Sequence, residues 1–158
     1  MSDLDKIYAQ ILATRRDIKE IKDLIIPATP KQTEDKIVTA SFLEENPNVI
    51  FVFGDNLKRY GTGGAAALRY ITNTYGFVTK KAPTYKDEDF YKPEDYITKY
   101  LEEVYCLRER MIKQPDKLFL ISKIGGGIAN KYKIFEEVIE PTIRILLKDL
   151  SNKEFLWE

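Results

Sequence analysis

The chain contains no histidine. That removes the usual neutral-pH acid/base, the Ser-His-Asp triad and the commonest metal ligand. Its single cysteine, Cys106, excludes an internal disulfide and a cysteine zinc site, so neither metal nor cofactor is expected. No apolar run approaches the ~18 residues of a membrane span, which argues against a membrane partner. The start MSDLDKIYAQ carries acids and lacks the apolar core of a secretory signal, so a cytoplasmic location is expected. Neither sign of charge is in excess: 25 Lys and Arg balance 25 Asp and Glu. A zero net charge argues against a nucleic-acid binder that relies on many phosphate contacts. Chemistry is left to Asp, Glu, Lys, Tyr, Ser, Thr, backbone N–H groups or the substrate itself.

What remains fits one α/β domain behind an N-terminal extension. Hydrophobic residues make up 44% and charged residues 32% of 158, a globular composition. Leu4, Ile11, Ile18 and Ile25 recur every seven residues, with Ile7, Thr14 and Ile21 between them. This predicts an amphipathic helix over 4–25, packed on its own domain or associating with a second copy. IPATPKQTEDK breaks the pattern, and the extension is set at residues 1–30, the domain at 31–158.

Beyond the break, strands and helices alternate. Strands are expected at 36–40, 49–53, 77–81 and 117–122, with a final edge strand at 155–158. Helices are expected after Ser41, whose Glu44 partner suggests a capping box, over 64–75 with Gly76 as its stop, from Pro93 to Gln114, and over 134–150 with Pro141 as kink or restart. Residues 82–92 show no period and read as an irregular excursion. Cys106 reads as core and Trp157 as sheet packing. Alternation of this kind implies a sheet covered on both faces, with ligands at the carboxyl ends of its strands.

Two glycine-rich segments follow two of the best strands. Gly61-Thr62-Gly63-Gly64-Ala65-Ala66 matches G-x-G-x-x-A, but Asp55 to Tyr60 intervene after the strand, and Lys80-Lys81 stand where an acidic ribose ligand belongs. No Gly-Lys-Ser/Thr follows, so it is not a Walker loop. Gly125-Gly126-Gly127-Ile128-Ala129 reads as an anion nest or as a hinge. Asp55-Asn56 reads as an Asx turn or as a ribose contact. Lys80, Lys81, Lys123, Lys131 and Lys133 gather near strand ends, giving a mouth suited to a diphosphate.

Four motifs carry a family resemblance. They are Gly54-Asp55-Asn56-Leu57, Gly61 with Gly63-Gly64-Ala65, Val78-Thr79-Lys80, and Ile124-Gly125-Gly126-Gly127-Ile128-Ala129. Over residues 36–158 the chain resembles a macro-domain-like family common in phage and bacterial genomes, and more loosely macro domains proper, which bind ADP-ribose. It departs from the latter in reading Gly-Asp-Asn for Asn-Ala-Ala-Asn and in placing Val78 before Thr79-Lys80. Asp35 is the nearest counterpart of the aspartate that holds adenine. The resemblance implies a three-layer α/β/α macro-domain-like fold that binds ADP-ribose or a related nucleotide diphosphate. Ligand-binding residues would be Gly54, Asn56, Gly61, Gly63, Gly64, Ala65, Thr79, Lys123, Gly125, Gly126, Gly127 and Ile128. If the protein is an enzyme, Asp55 would position or activate water and Lys80 would act electrostatically or as a nucleophile, hydrolysing an ADP-ribosyl linkage. The other reading is a non-catalytic binder or sponge of a nucleotide-derived signal, as in phage counter-defence, acting in the host cytoplasm and oligomeric through residues 4–25.

Overall fold

The computed structural model describes residues 37–157. The expected helix at 4–25, the boundary near residue 30, Asp35 and Lys36 lie outside them. The described chain is an α/β structure on a four-stranded parallel sheet. Its strands are β1 (Val49–Asn56), β2 (Thr74–Lys80), β3 (Leu118–Ile121) and β4 (Lys153–Phe155), in the order β2-β1-β3-β4.

The unbroken apolar run Val49–Phe53 follows from burial on both faces of β1. Val49, Phe51 and Phe53 pack with Leu43, Ala66, Ile71 and Leu156. Ile50 and Val52 point the other way, into the larger cluster of Tyr96, Tyr100, Leu107, Ile134, Phe135 and Ile143. Helix α1 (Ala40–Glu45) and the β1–β2 connection supply the first face. Helix α2 (Pro93–Lys113) crosses over the second. Strand order therefore runs outward from β1 in both directions, and a crevice opens between the carboxyl ends of β1 and β3.

Helix α2 starts and stops as its sequence demands. Pro93 opens it, Glu94 and Asp95 occupy its first turn, and it ends at Gln114, before Pro115. It also closes the free edge of β2. Glu103 accepts the Val78 N–H at 2.5 Å, and the Tyr96 hydroxyl donates to the Val78 carbonyl at 2.5 Å. No helix among the described residues is long and apolar enough to cross a membrane.

Several local expectations are corrected. Residues 37–39 form no strand. Thr39, not Ser41, caps α1, its hydroxyl accepting the Phe42 N–H at 3.1 Å, so Ser41 lies inside the helix and the capping box does not form. The helix expected over 64–75 is a single 3₁₀ turn, Gly64–Leu68. Pairing with β1 captures its last two residues: Thr74 lies opposite Phe51, and β2 begins there rather than at Phe77. Asn73 fixes the junction, its amide donating to the carbonyls of Leu43, Asn46 and Val49 at 2.9, 3.2 and 3.1 Å. Gly76 is not a helix stop but a strand residue under Asp55, where a Cβ would lie 2.5 Å from Asp55 Oδ2.

The long helix expected over 134–150 is divided into a π turn, Phe135–Ile139, and a short helix α3 (Ile143–Leu146) restarting after Pro141. The final strand is Lys153–Phe155, on the sheet edge beside β3. Residues 82–92 are irregular apart from the turn Asp87–Asp89 and a bridge from Phe90 to Lys80. Cys106 is exposed, not core. Trp157 packs edge-on against Phe135 and Phe155, with ring centroids 5.7 and 5.0 Å away.

Candidate functional site

A cleft of about 490 Å³ opens at the carboxyl ends of β1, β2 and β3. Its volume falls within the range typical of small-molecule sites. The two glycine segments meet there. A Cβ on Gly54 would lie 3.7 Å from the Gly125 nitrogen, and one on Gly63 would lie 3.7 Å from Ile128 Cδ1. Every site residue expected from the sequence borders this one cleft: Gly54, Asp55, Asn56, Gly61, Gly63, Gly64, Ala65, Thr79, Lys80, Lys123, Gly125, Gly126, Gly127 and Ile128. Lys81, Lys131 and Lys133 do not. Lys81 lies over the Tyr91 ring, and Lys131 pairs with Asp87 at 2.7 Å, so the basic groups of the mouth reduce to Lys80 and Lys123.

The glycines answer steric and conformational demands. Gly61 and Gly125 take positive φ, +96° and +77°. A Cβ on Gly61 would strike Pro83 at 2.8 Å, and one on Gly125 would strike Ile139 at 2.6 Å. Around these turns the backbone leaves donors unmatched. Among the described residues, the N–H groups of Gly61, Thr62, Gly63, Gly64 and Ala65 have no acceptor, nor do those of Gly125, Gly127, Ile128 and Ala129. Unmatched donors on both walls of one cleft are suited to an anion.

Asp55 does not present a free carboxylate. Its side chain is 1% exposed. Arg69 grips both oxygens, Nε to Oδ2 at 3.2 Å and Nη2 to Oδ1 at 2.5 Å. Arg59 adds a contact at 3.3 Å, and the Asn56 N–H donates to Oδ1 at 2.8 Å. Burial pushes the Asp55 pKa up, but the hydrogen bonds from Arg69, Asn56 and Arg59, with the charge of Arg69, outweigh it and hold the pKa below the ordinary value. A carboxylate engaged in this way is a weak base, which does not favour the water-activating role expected of it. Asn56 is similarly occupied. Its Oδ1 accepts the Lys58 N–H at 3.0 Å and its amide donates to the Tyr60 carbonyl at 2.8 Å, forming the Asx turn foreseen as one of its two readings.

Lys80 is buried without a carboxylate partner in ion-pair range among the described residues. Its ammonium donates to the Thr84 carbonyl at 2.7 Å and sits 4.5 Å from the Phe90 ring centroid and 5.3 Å from that of Tyr85. Burial lowers its pKa, and the charge of Asp89 opposes that shift. Lys123 is exposed at the mouth, 4.9 Å from the Phe135 ring centroid. With Asp55 enclosed by arginines, the cleft offers cations and amide hydrogens and, among the described residues, no open carboxylate.

Sequence reading missed Arg59, Arg69, Ser122 and the aromatic walls Tyr60 and Tyr85. The arginines carry no local signal, because their partner Asp55 is set by how the connection folds over β1.

A family of unknown function, DUF7831, matches residues 33–129 of the chain. The chain belongs to that family. No curated protein and no solved structure matches it. The DUF7831 match spans β1, β2, α2, β3 and both glycine segments, ending at Ala129, so it contains nearly all of the cleft. Among the described residues lining the cleft, only Leu156 lies beyond it.

Proposed function

We propose that the cleft binds ADP-ribose or a related nucleotide diphosphate, within a macro-domain-like three-layer arrangement of the parallel sheet. The observation that carries this reading is the convergence of two glycine segments, each with unmatched N–H donors, on one cleft flanked by Lys80 and Lys123. A diphosphate is the ligand class with enough acceptor oxygens to satisfy both segments. The exposed tyrosines Tyr60 and Tyr85 give the same cleft flat apolar surface for the rest of a nucleotide.

Binding without turnover fits the site better than hydrolysis. Among the described residues the one carboxylate bordering the cleft is held by two arginines, and the Lys80 Nζ is engaged by a carbonyl and two ring faces. The corresponding role is a reader or sponge for a nucleotide-derived signal, in the cytoplasm, with residues 4–25 joining copies of the chain. Light scattering with and without residues 1–30 tests that last element.

Calorimetric titration with ADP-ribose, ADP and adenosine tests the ligand class. Micromolar binding of the diphosphates and none of adenosine is the expected result. Failure of every diphosphate to bind overturns the proposal. Mass analysis after incubation with ADP-ribosylated protein separates binder from hydrolase, and release of ADP-ribose would restore the catalytic reading.

A further inference from the structure

Arg69 does more than neutralise Asp55. Its Nη1 donates to the Gly61 carbonyl at 2.9 Å and its Nη2 reaches the Tyr60 carbonyl at 3.4 Å, while the Asn56 amide holds that same Tyr60 carbonyl at 2.8 Å. These peptides are trans, so each C=O points opposite to the N–H of the next residue. Drawing the Tyr60 and Gly61 carbonyls toward Arg69 turns the Gly61 and Thr62 N–H groups away from it. Neither has an acceptor among the described residues. Arg69 holds this orientation because it is itself fixed. Its planar fork is anchored by a carboxylate 1% exposed, and its own side chain is only 24% exposed.

We infer that the Asp55–Arg69 pair is a positioning device that keeps the first glycine segment with its amide hydrogens outward, so that a diphosphate is held by one phosphoryl group on each segment. This rests on the nucleotide-diphosphate reading above and names the residues that set its geometry. Arg69 touches no phosphate; it acts through the backbone of residues 60–62. The second segment, Gly125–Ala129, is built independently of Arg69, its turns closing through the Gly126 N–H to Lys123 C=O and Asn130 N–H to Gly127 C=O bonds. Loss of Arg69 therefore disables one segment and leaves the other intact.

The test is a titration of the full-length, ¹⁵N-labelled chain with inorganic pyrophosphate, read amide by amide, for the native protein and for Arg69→Gln. In the native protein the amides of residues 61–64 and of 125–128 shift together. In Arg69→Gln the shifts at 125–128 persist, those at Gly61 and Thr62 disappear, and affinity falls about tenfold, as expected for losing one or two hydrogen bonds to an anion. A uniform loss of stability would not produce this split. Retention of both sets in Arg69→Gln overturns the inference and leaves the diphosphate reading standing. Absence of both sets in the native protein overturns the diphosphate reading itself. Should Arg69→Gln not fold, Arg69→Lys takes its place. It keeps the charge but cannot span Asp55 and Gly61 together, and the same segment-selective loss is expected, its absence again overturning the inference.

Discussion

Gly54 and Gly125 stand face to face across the cleft floor, a Cβ on the first falling 3.7 Å from the amide nitrogen of the second. One lies near the carboxyl end of β1, and the other lies in the turn after β3. They meet because β1 and β3 are parallel neighbours, Val52 opposite Ile121. A Cβ on Gly54 would also press on Thr79 Oγ1 at 3.2 Å, so a side chain there has little room. A change at either glycine thus tests packing and ligand contact separately, according to where its Cβ would point.

Gly125→Ala should damage the fold. The residue has φ +77°, and the new Cβ would sit 2.6 Å from Ile139 Cδ1. Left-handed backbone costs a non-glycine residue roughly 1–2 kcal/mol, and overpacking adds about 1–3 kcal/mol. Urea unfolding should show a loss of ~2–5 kcal/mol. An unchanged midpoint would mean that this turn is not packed as described.

Gly63→Val should behave in the opposite way. Its φ is −68°, open to any residue, and its Cβ would meet only Ile128 Cδ1, at ordinary contact distance of 3.7 Å. Stability should stay within ~0.5 kcal/mol of the native value, while the added methyls narrow the cleft between the two segments. Calorimetry with ADP-ribose should then show affinity reduced by about tenfold or more, equivalent to ~1.4 kcal/mol. Equal affinity would place the ligand elsewhere.

Lys80→Met tests the buried cation. Methionine fills similar volume between Phe90 and Tyr85, and its substitution strands no carboxylate among the described residues; only the Thr84 carbonyl loses a donor. The protein should fold, bind ADP-ribose about tenfold more weakly, and lose part of the salt dependence of binding. Unchanged affinity across ionic strengths would assign Lys80 to anchoring residues 81–90 alone.

Acid should weaken the fold through Asp55. Its folded pKa lies below the unfolded 3.8, so its contribution is fully present above pH 3.8. It is lost as pH falls from there through the lower folded value. Urea midpoints measured from pH 6 downward should drop in that window, and the drop should be smaller in Asp55→Asn, which is less stable at neutral pH but has no carboxylate to protonate. An identical acid profile in the variant would show that other groups carry the transition.

Parts of the fold were legible because their causes are local. The continuous apolar runs at 49–53 and 118–121 identify strands covered on both faces, and Pro93 with Glu94 and Asp95 marks the start of α2. The glycine segments stand out by composition alone, and the residues singled out with them border one cleft. Residues 64–75 misled for a physical reason. Alanine-rich sequence with apolar residues at helical spacing favours a helix, yet the helical turn stops at Leu68 and parallel pairing of Thr74–Lys80 with β1 claims the end of the segment. Pairing with a strand about twenty residues away leaves no trace in local periodicity.

The sequence by itself determined the inventory: five strand-like and four helix-like segments in alternation, two glycine segments able to expose peptide hydrogens, and no histidine or cysteine pair to do other chemistry. Tertiary structure decided what those pieces face. It joined both glycine segments in one crevice, because the order β2-β1-β3-β4 makes β1 and β3 neighbours with their carboxyl ends on the same side. It also turned Asp55 from an apparent catalyst into the anchor of Arg69. An ion pair spanning fourteen positions is written in the folding of the connection over the sheet, not in any motif.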